Sequence, residues 1–470
     1  MERVKSLVLA GLSGGSGKSV VSVGLIAALK NRGRGVAAFK KGPDYIDAGW
    51  MSKAAGQPCY NLDPYLMSPA AIASTFQRHV YGNGFAVVEG NRGIFDGVNA
   101  GGEFSTAELA QLLDLPVLLV VNCSKTTRTV AALVLGCQAF DPRINFAGVI
   151  LNQIATNRHE SIIRQSLERY TDLPVLGIMP RLKQDIFPMR HLGVTPHQEY
   201  AAAGDAVDRL AALAETHFDL DAIVARMRGI VPLPPETSSS VKQRLTIGVL
   251  RDAAFQFYYE ENLEALQSGG ARLVMIDALH SRELPPEIDG LYIGGGFPET
   301  SAQQLADNAT FRQSVRDRID TGLPVYAECG GLIFLGRSII LEGCEYPLAG
   351  VFPVTFTLGA KPQAHGYSTF TVEKANSFYP VGARIKGHEF RYSMVHQWDG
   401  VTEDLALSME RGAGFYGGRD GLVKNNVLAL YTHVLASGTP QWAPGFIAAA
   451  REHAMRRASA GCSAECGDLC

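Results

Sequence analysis

The stretch "GLSGGSGKS" at positions 11–19 follows directly on the apolar run Leu7–Val8–Leu9. No other feature restricts the fold of this chain as much. A glycine-rich loop that leaves a buried strand and opens a helix at Gly17–Lys18–Ser19 sets backbone N–H groups and a helix N-terminus around phosphate oxygens. Gly11, Gly14, Gly15 and Gly17 give the loop its backbone freedom. Lys18 would meet the β/γ charge of a nucleotide, and Ser19 would contact Mg²⁺. The loop is one residue longer than the common form, with Gly11 as its first glycine. A plain glycine-rich βα turn accounts for the glycines but not for the lysine and serine.

Such a loop needs a parallel sheet around it. Leu7–Ala10, Val36–Phe39, Phe85–Val88, Pro116–Val121 and Phe146–Leu151 are short runs that are apolar on both faces. Amphipathic stretches such as Val20–Lys30 and Ser161–Tyr170 separate them. This order predicts a doubly wound α/β domain with its ligands beyond the carboxyl ends of the strands. At 470 residues a second core is expected. "VPLPPETSSSVKQ" at 231–243 reads as a linker, after which Leu245–Leu250, Arg272–Ile276, Gly290–Ile293 and Pro324–Ala327 restart the alternation. The expected division is 1–230, the linker 231–243, a second α/β domain 244–450, and a flexible tail 451–470.

Composition narrows the function. A net charge of −3 leaves no basic excess for a nucleic-acid partner. No apolar run is long enough to span a bilayer, and Met1–Lys5 lacks a signal-peptide core. The eight cysteines are scattered over a long chain, so a reducing cytoplasm is expected.

A nucleotide with Mg²⁺ calls for carboxylates. Glu89 closes the apolar run "FAVVEG"; Asp44 and Asp47 lie in "KKGPDYIDAGW" after the strand Val36–Phe39; Asp96 lies in "GIFDG". Mg²⁺ takes one or two protein carboxylates beside phosphates and water, so some of the four are left for substrate. Turn chemistry alone would account for Asp44 or Asp96 singly, but not for acids at consecutive strand ends.

With these stretches in view, the N-terminal half resembles the cobyrinic acid a,c-diamide synthase family, in the dethiobiotin-synthetase-like branch of P-loop proteins. The matching segments are "GLSGGSGKS", "KKGPDYIDAG", "CYNLD" (59–63), "VEG…GIFDG" (88–97), "STAELAQLLDLPVLLVV" (105–121), "GVILNQI" (148–154) and "PMRHLG" (188–193). The resemblance implies ATP and Mg²⁺, with Lys18 and Ser19 on phosphate and metal, Asp44 and Glu89 as metal ligands, and Asn152 on the base. Asp96 and Asp47 are expected on the substrate side. For Arg190–His191 a nucleotide or acyl-phosphate contact and a structural pair stay open.

In the second half, "VYAECGGLIFLG" (325–336) sets Cys329 between an apolar strand and a glycine pair that opens a helix. A helix N-terminus favours thiolate, and the N–H groups that follow, Gly330 first, can receive an oxyanion. "YIGGGFPE" (292–299) offers Gly295 and Gly296 for a second oxyanion contact, and "ALYTHVLA" (429–436) offers His433 as the base. A buried cysteine is commonly just a small hydrophobe. This half nevertheless resembles a class I glutamine amidotransferase of the cobyric-acid-synthesis type. The resemblance gives Cys329 a glutamyl thioester to form and ammonia to release. The usual glutamate two residues after the histidine is Leu435 here, so His433 is expected to act unassisted or to be oriented by another acceptor.

Together the halves imply an ATP- and glutamine-dependent ligase that turns two acetate carboxylates of a tetrapyrrole into amides through acyl phosphates. L-glutamine and the tetrapyrrole are its small-molecule partners, and a homodimer is compatible with the sequence. Cobyrinate is the family default; siroheme and nickel-sirohydrochlorin are alternatives, because Ala48, Met51, Asn91, Arg92, Asn122 and Arg391 depart from the usual pattern. Arg92 and Arg391 would add charge suited to carboxylates if they face the cleft. A ParA-like partitioning ATPase would share the P-loop but not Cys329 and His433. Cys462, Cys466 and Cys470 could in principle bind metal; a disordered tail is the expectation.

Overall fold

A computed structural model describes residues 3–182, 186, 189–190, 193–234 and 245–467. The chain divides into two compact units at Glu236/Thr237. That point falls in the stretch expected as a linker, of which residues 235–243 lie outside the described residues.

In the first unit, seven parallel strands form one sheet: β1 (Val4–Gly11), β2 (Val36–Lys41), β3 (Cys59–Leu62), β4 (Phe85–Glu89), β5 (Val117–Asn122), β6 (Phe146–Ile154) and β7 (Val175–Pro180). Their order is β3-β2-β4-β1-β5-β6-β7, and Arg228–Ile230 pairs antiparallel with β1. Helices cover both faces, so β2 and β4 are buried residue by residue, as their unbroken apolar runs demand. β1 lies between β4 and β5, so the chain leaves its carboxyl end where the winding reverses, the position at which such sheets bind ligands. From there run α1 (Lys18–Asn31) and, after β2, α2 (Ile46–Ala55). Gly24 brings α1 against α3 (Ala203–His217): a Cβ at Gly24 would stand 2.9 Å from the Leu210 carbonyl oxygen.

The second unit repeats the logic with other strands. β8 (Leu245–Leu250), β9 (Ala271–Ile276), β10 (Gly290–Ile293), β11 (Val325–Glu328), β14 (Leu422–Lys424) and β15 (Val427–Leu430) make a sheet in the order β9-β8-β10-β11-β15-β14. Only its last pair is antiparallel. Between β11 and β14 the chain forms α4 (Gly330–Leu335) and two smaller sheets; one of them pairs β12 (Ala364–Val372) with β13 (Arg384–Arg391). A bridge between His388 of β13 and His433 fixes that small sheet to the loop after β15.

One expectation is corrected. Residues 451–467, expected as a flexible tail, continue α5 (Trp442–Gly467). Trp442, Phe446, Ile447 and Ala450 are buried at helical spacing against the sheet, and the helix carries on past them. Arg457 then anchors it, donating to Asp289 Oδ1 at 2.8 Å and to the Pro286 carbonyl at 2.8 Å. Cys462 and Cys466 fall on this helix; Cys470 lies outside the described residues.

Candidate active site

At the end of β1 the phosphate loop turns on two left-handed glycines, Gly15 (φ 73°) and Gly17 (φ 89°). A side chain at Gly17 would overlap the Asn152 amide. Lys18 folds back across the loop and donates to the Ser13 carbonyl at 3.1 Å and to the Arg92 carbonyl at 2.7 Å. Burial, followed by the charge of Lys40, pulls its ammonium pKa down from the ordinary value. These carbonyls hold the ammonium over the loop, where a phosphate would compete for it.

The acids come together beside the first turn of α1. Ser19 Oγ donates to Glu89 Oε1 at 3.2 Å, and Ser22 donates to the other Glu89 oxygen. Asp44 Oδ1 accepts from the Asp47 N–H at 2.9 Å and so holds the start of α2. Lys40 stands among all three: its Nζ is 2.6 Å from Glu89, 2.7 Å from Asp47 and 3.8 Å from Asp44. Sequence reasoning passed over this lysine. The signal was a lysine inside β2, a strand buried on both faces, where a charge needs a partner. Three acids and one ammonium leave the cluster short of positive charge. Burial, followed by the neighbouring Asp47, pushes the Asp44 carboxyl up to about 7, while Lys40 holds Asp47 below its ordinary value against burial.

Asp96 is exposed and accepts from the Gly93 N–H at 2.8 Å, closing the turn that carries Arg92. Arg92 is itself exposed with a left-handed backbone, φ 50°. The loop therefore gathers Lys18, Ser19, Glu89, Asp44 and Asp47, with Arg92 and Asp96 on the adjoining turn.

In the second unit, Cys329 occupies a sharp elbow (φ 47°, ψ −96°) between β11 and α4. His433 follows β15, the neighbouring strand, and hydrogen-bonds to Cys329. Its Nδ1 lies 3.5 Å from Glu328 Oε2, and its ring stacks on His388 with centroids 4.9 Å apart. Burial alone would lower the His433 pKa; the bonds to Cys329 and Glu328 outweigh it and raise the pKa to about 10. Burial and the facing His433 push His388 the other way, so the inner imidazole is neutral. A side chain on Gly330 would sit 3.0 Å from the Gly296 nitrogen, so two of the three glycines expected at the oxyanion are neighbours beside Cys329.

Residues 7–192 fit the model of the CobQ/CobB/MinD/ParA nucleotide binding domain, and residues 246–441 that of the CobB/CobQ-like glutamine amidotransferase domain. A protein of Magnetococcus marinus named cobyrinate a,c-diamide synthase is 40% identical over 452 residues, covering 94% of this chain and 96% of the relative. Relatives of the same name from Dehalococcoides mccartyi and Archaeoglobus fulgidus are 38% and 39% identical, over 94% and 92% of this chain and 97% and 94% of their own length. The chain belongs to the cobyrinate a,c-diamide synthase family. A nucleotide-binding unit and a glutamine amidotransferase unit in one chain make it a glutamine-dependent carbon–nitrogen ligase.

Within that family frame, several residues make contacts inside the protein itself. Asn152, expected on the base, spends its amide on the protein: Nδ2 donates to the Ser16 carbonyl at 2.8 Å and Oδ1 accepts from the Gln153 N–H at 2.9 Å. It braces the phosphate loop. Gly295, expected as an oxyanion donor, points its N–H at the Phe257 carbonyl, 3.3 Å away. Its use is space, since a Cβ there would run into the His433 ring. Arg391, which would have suited substrate carboxylates had it faced the cleft, is buried in β13. Its guanidinium donates to the Ser393 and Gly414 carbonyls, lies 3.8 Å from Glu389 and stacks 3.7 Å over the Tyr431 ring. It is a core residue. The Arg190–His191 pair lies outside the described side chains. Among the described residues, no helix is long and apolar enough to cross a membrane.

Proposed function

We propose that the chain uses ATP and L-glutamine to convert the a and c acetate carboxylates of cobyrinate into amides by way of acyl phosphates. The carrying observation is the pairing, in one chain, of a phosphate loop ringed by acids with a buried Cys329–His433 pair. The substrate follows the relatives' name.

The donors fit Mg²⁺. Ser19, Asp44 and Glu89 offer oxygen only, and the ammonium of Lys40 stands among three acids there. Held by Ser19, Asp44 and Glu89, Mg²⁺ would supply charge neutralisation for the transferred phosphoryl group. Lys18 exchanges its carbonyl partners for the β/γ-phosphate oxygens. The substrate carboxylate takes the γ-phosphoryl group, which makes its oxygen a leaving group, and ammonia displaces phosphate to leave the amide. Arg92 meets the macrocycle's carboxylates from the adjoining turn, which Asp96 holds through the Gly93 N–H.

The ammonia comes from the second unit. Cys329 Sγ attacks the glutamine side-chain carbonyl, the C–N bond breaks, and His433 gives its proton to the departing nitrogen. Water then hydrolyses the thioester to glutamate. The Gly330 and Gly296 N–H groups are the oxyanion donors of this step.

The test is mass spectrometry of products from cobyrinate, siroheme and nickel-sirohydrochlorin, each with ATP, Mg²⁺ and glutamine. Two carboxyls of cobyrinate become amides. Double amidation of siroheme with cobyrinate untouched would overturn the reading.

A further inference from the structure

We propose that Glu328, the residue immediately before the nucleophile, is the acid that orients His433 and fills the place left by Leu435. The inference rests on the glutaminase reading of Cys329 above.

Glu328 closes β11 with no exposed surface. A carboxylate buried this deeply costs several kcal/mol unless it is paired and hydrogen-bonded. Among the described ion pairs its cationic partner is His433 alone. Two donors aim it. The Val434 N–H bonds Oε1 at 3.1 Å, and the Tyr292 hydroxyl bonds Oε2 at 3.2 Å. Oε2 is the oxygen that faces His433 Nδ1.

The segment that carries the histidine is clamped from the same side. Asn262 donates to the Val434 carbonyl at 2.8 Å, accepts from the Ala436 N–H at 2.7 Å, and reaches the Tyr292 hydroxyl at 3.3 Å. Glu328, Tyr292 and Asn262 thus form one buried polar network behind the imidazole. A carboxylate at Nδ1 fixes the ring's orientation and turns Nε2 toward the thiol, the task of the acid in any nucleophile–histidine–acid set. The 3.5 Å separation is longer than a finished hydrogen bond, as such contacts often are before substrate binds. Leu435 is buried and cannot serve. Against burial, the bonds to Cys329 and then to Glu328 raise the pKa of the same imidazole to about 10.

A glutamate that merely braced Val434 would leave the chemistry of Cys329 unchanged, so the test reads that chemistry. Glu328→Gln keeps the shape and an acceptor for Val434 but loses the charge. It should lower glutamine-driven synthesis, relative to ammonium-driven synthesis by the same preparation, by about 10²–10⁴-fold, with the glutamine KM nearly unchanged. The pH midpoint for alkylation of Cys329 by iodoacetamide should rise by about one unit or more. Glu328→Asp should recover part of both. Tyr292→Phe, which removes one bond to Oε2 and keeps the ring, should cut the ratio about tenfold without depending on Glu328→Gln folding. A Glu328→Gln ratio and midpoint at the wild-type values, or a wild-type ratio in Tyr292→Phe, overturns the proposal. Cys329→Ser is measured beside them: glutamine-driven synthesis in that variant would overturn the nucleophile reading itself.

Discussion

Lys40 Nζ lies 2.6 Å from Glu89 Oε1, and both side chains are sealed from solvent. The pair joins β2 to β4 directly beneath the phosphate loop. Removing one member of such a pair leaves the other charge without compensation, at a cost of about 3–5 kcal/mol. Lys40→Met should therefore lower the melting temperature of the first unit sharply. Its melting point should also become more dependent on Mg²⁺ than that of the wild type, because the acids then depend on the metal. Thermal scans with and without Mg²⁺ decide this; equal Mg²⁺ responses would refute the shared-charge account.

Asp44 gives a pH dependence of definite sign. Its carboxyl is pushed from an ordinary 3.8 to about 7, chiefly by burial, so the fold prefers the neutral acid. The stability this group contributes is complete below about pH 4 and is lost as pH rises through 7. Asp44→Asn, always neutral and still able to accept from the Asp47 N–H, should melt above the wild type at pH 8. The difference should close by pH 4. A gap that does not change with pH would contradict the assignment.

The two parallel sheets and the phosphate loop were legible in the sequence because they rest on local patterns: apolar runs with period-free burial, and glycine spacing beside a lysine. The polar network was not. Lys40 lies one residue from Lys41, and nothing in their spacing tells which ammonium three acids will surround. Glu328 stood in plain view beside Cys329. Its function depends on β15 lying next to β11, which is a contact between residues about a hundred positions apart. Arg391 shows the same limit. Its motif position left open whether it faces the cleft or pairs locally, and only the fold shows that it caps carbonyls inside the core.

Gly295 is an example of function by absence. A methyl group there would run into the His433 ring, whose Nε2 would lie 3.2 Å from it. Gly295→Ala should displace the imidazole and cut glutamine-driven synthesis by about 10²-fold or more, as misplacement of a catalytic group does. Ammonium-driven synthesis should continue. Lys18→Ala should instead stop both, because the proposed acyl phosphate would then not form. Rates with glutamine and with ammonium chloride separate the two; loss of both in Gly295→Ala would show that the change damages more than the glutaminase.

Arg92 is the remaining arginine with a claim on the substrate. Its backbone is held in the left-handed region, and its carbonyl accepts from Lys18 at 2.7 Å, so the side chain is carried at the rim of the phosphate loop. Asp96 closes the same turn from within, leaving the exposed guanidinium as the strong cation on that rim turn. A guanidinium binds a carboxylate through two parallel hydrogen bonds, which an ammonium cannot reproduce. Arg92→Ala should raise the tetrapyrrole KM about tenfold or more while kcat at saturation and the glutamine KM stay near wild type, the signature of binding lost equally from ground and transition states. Arg92→Lys should fall between. Arg391→Lys should do the reverse, lowering the melting temperature of the second unit through lost carbonyl bonds and ring stacking, with the tetrapyrrole KM unmoved. If Arg391→Lys shifts that KM and Arg92→Ala does not, the carboxylate-binding rim lies elsewhere.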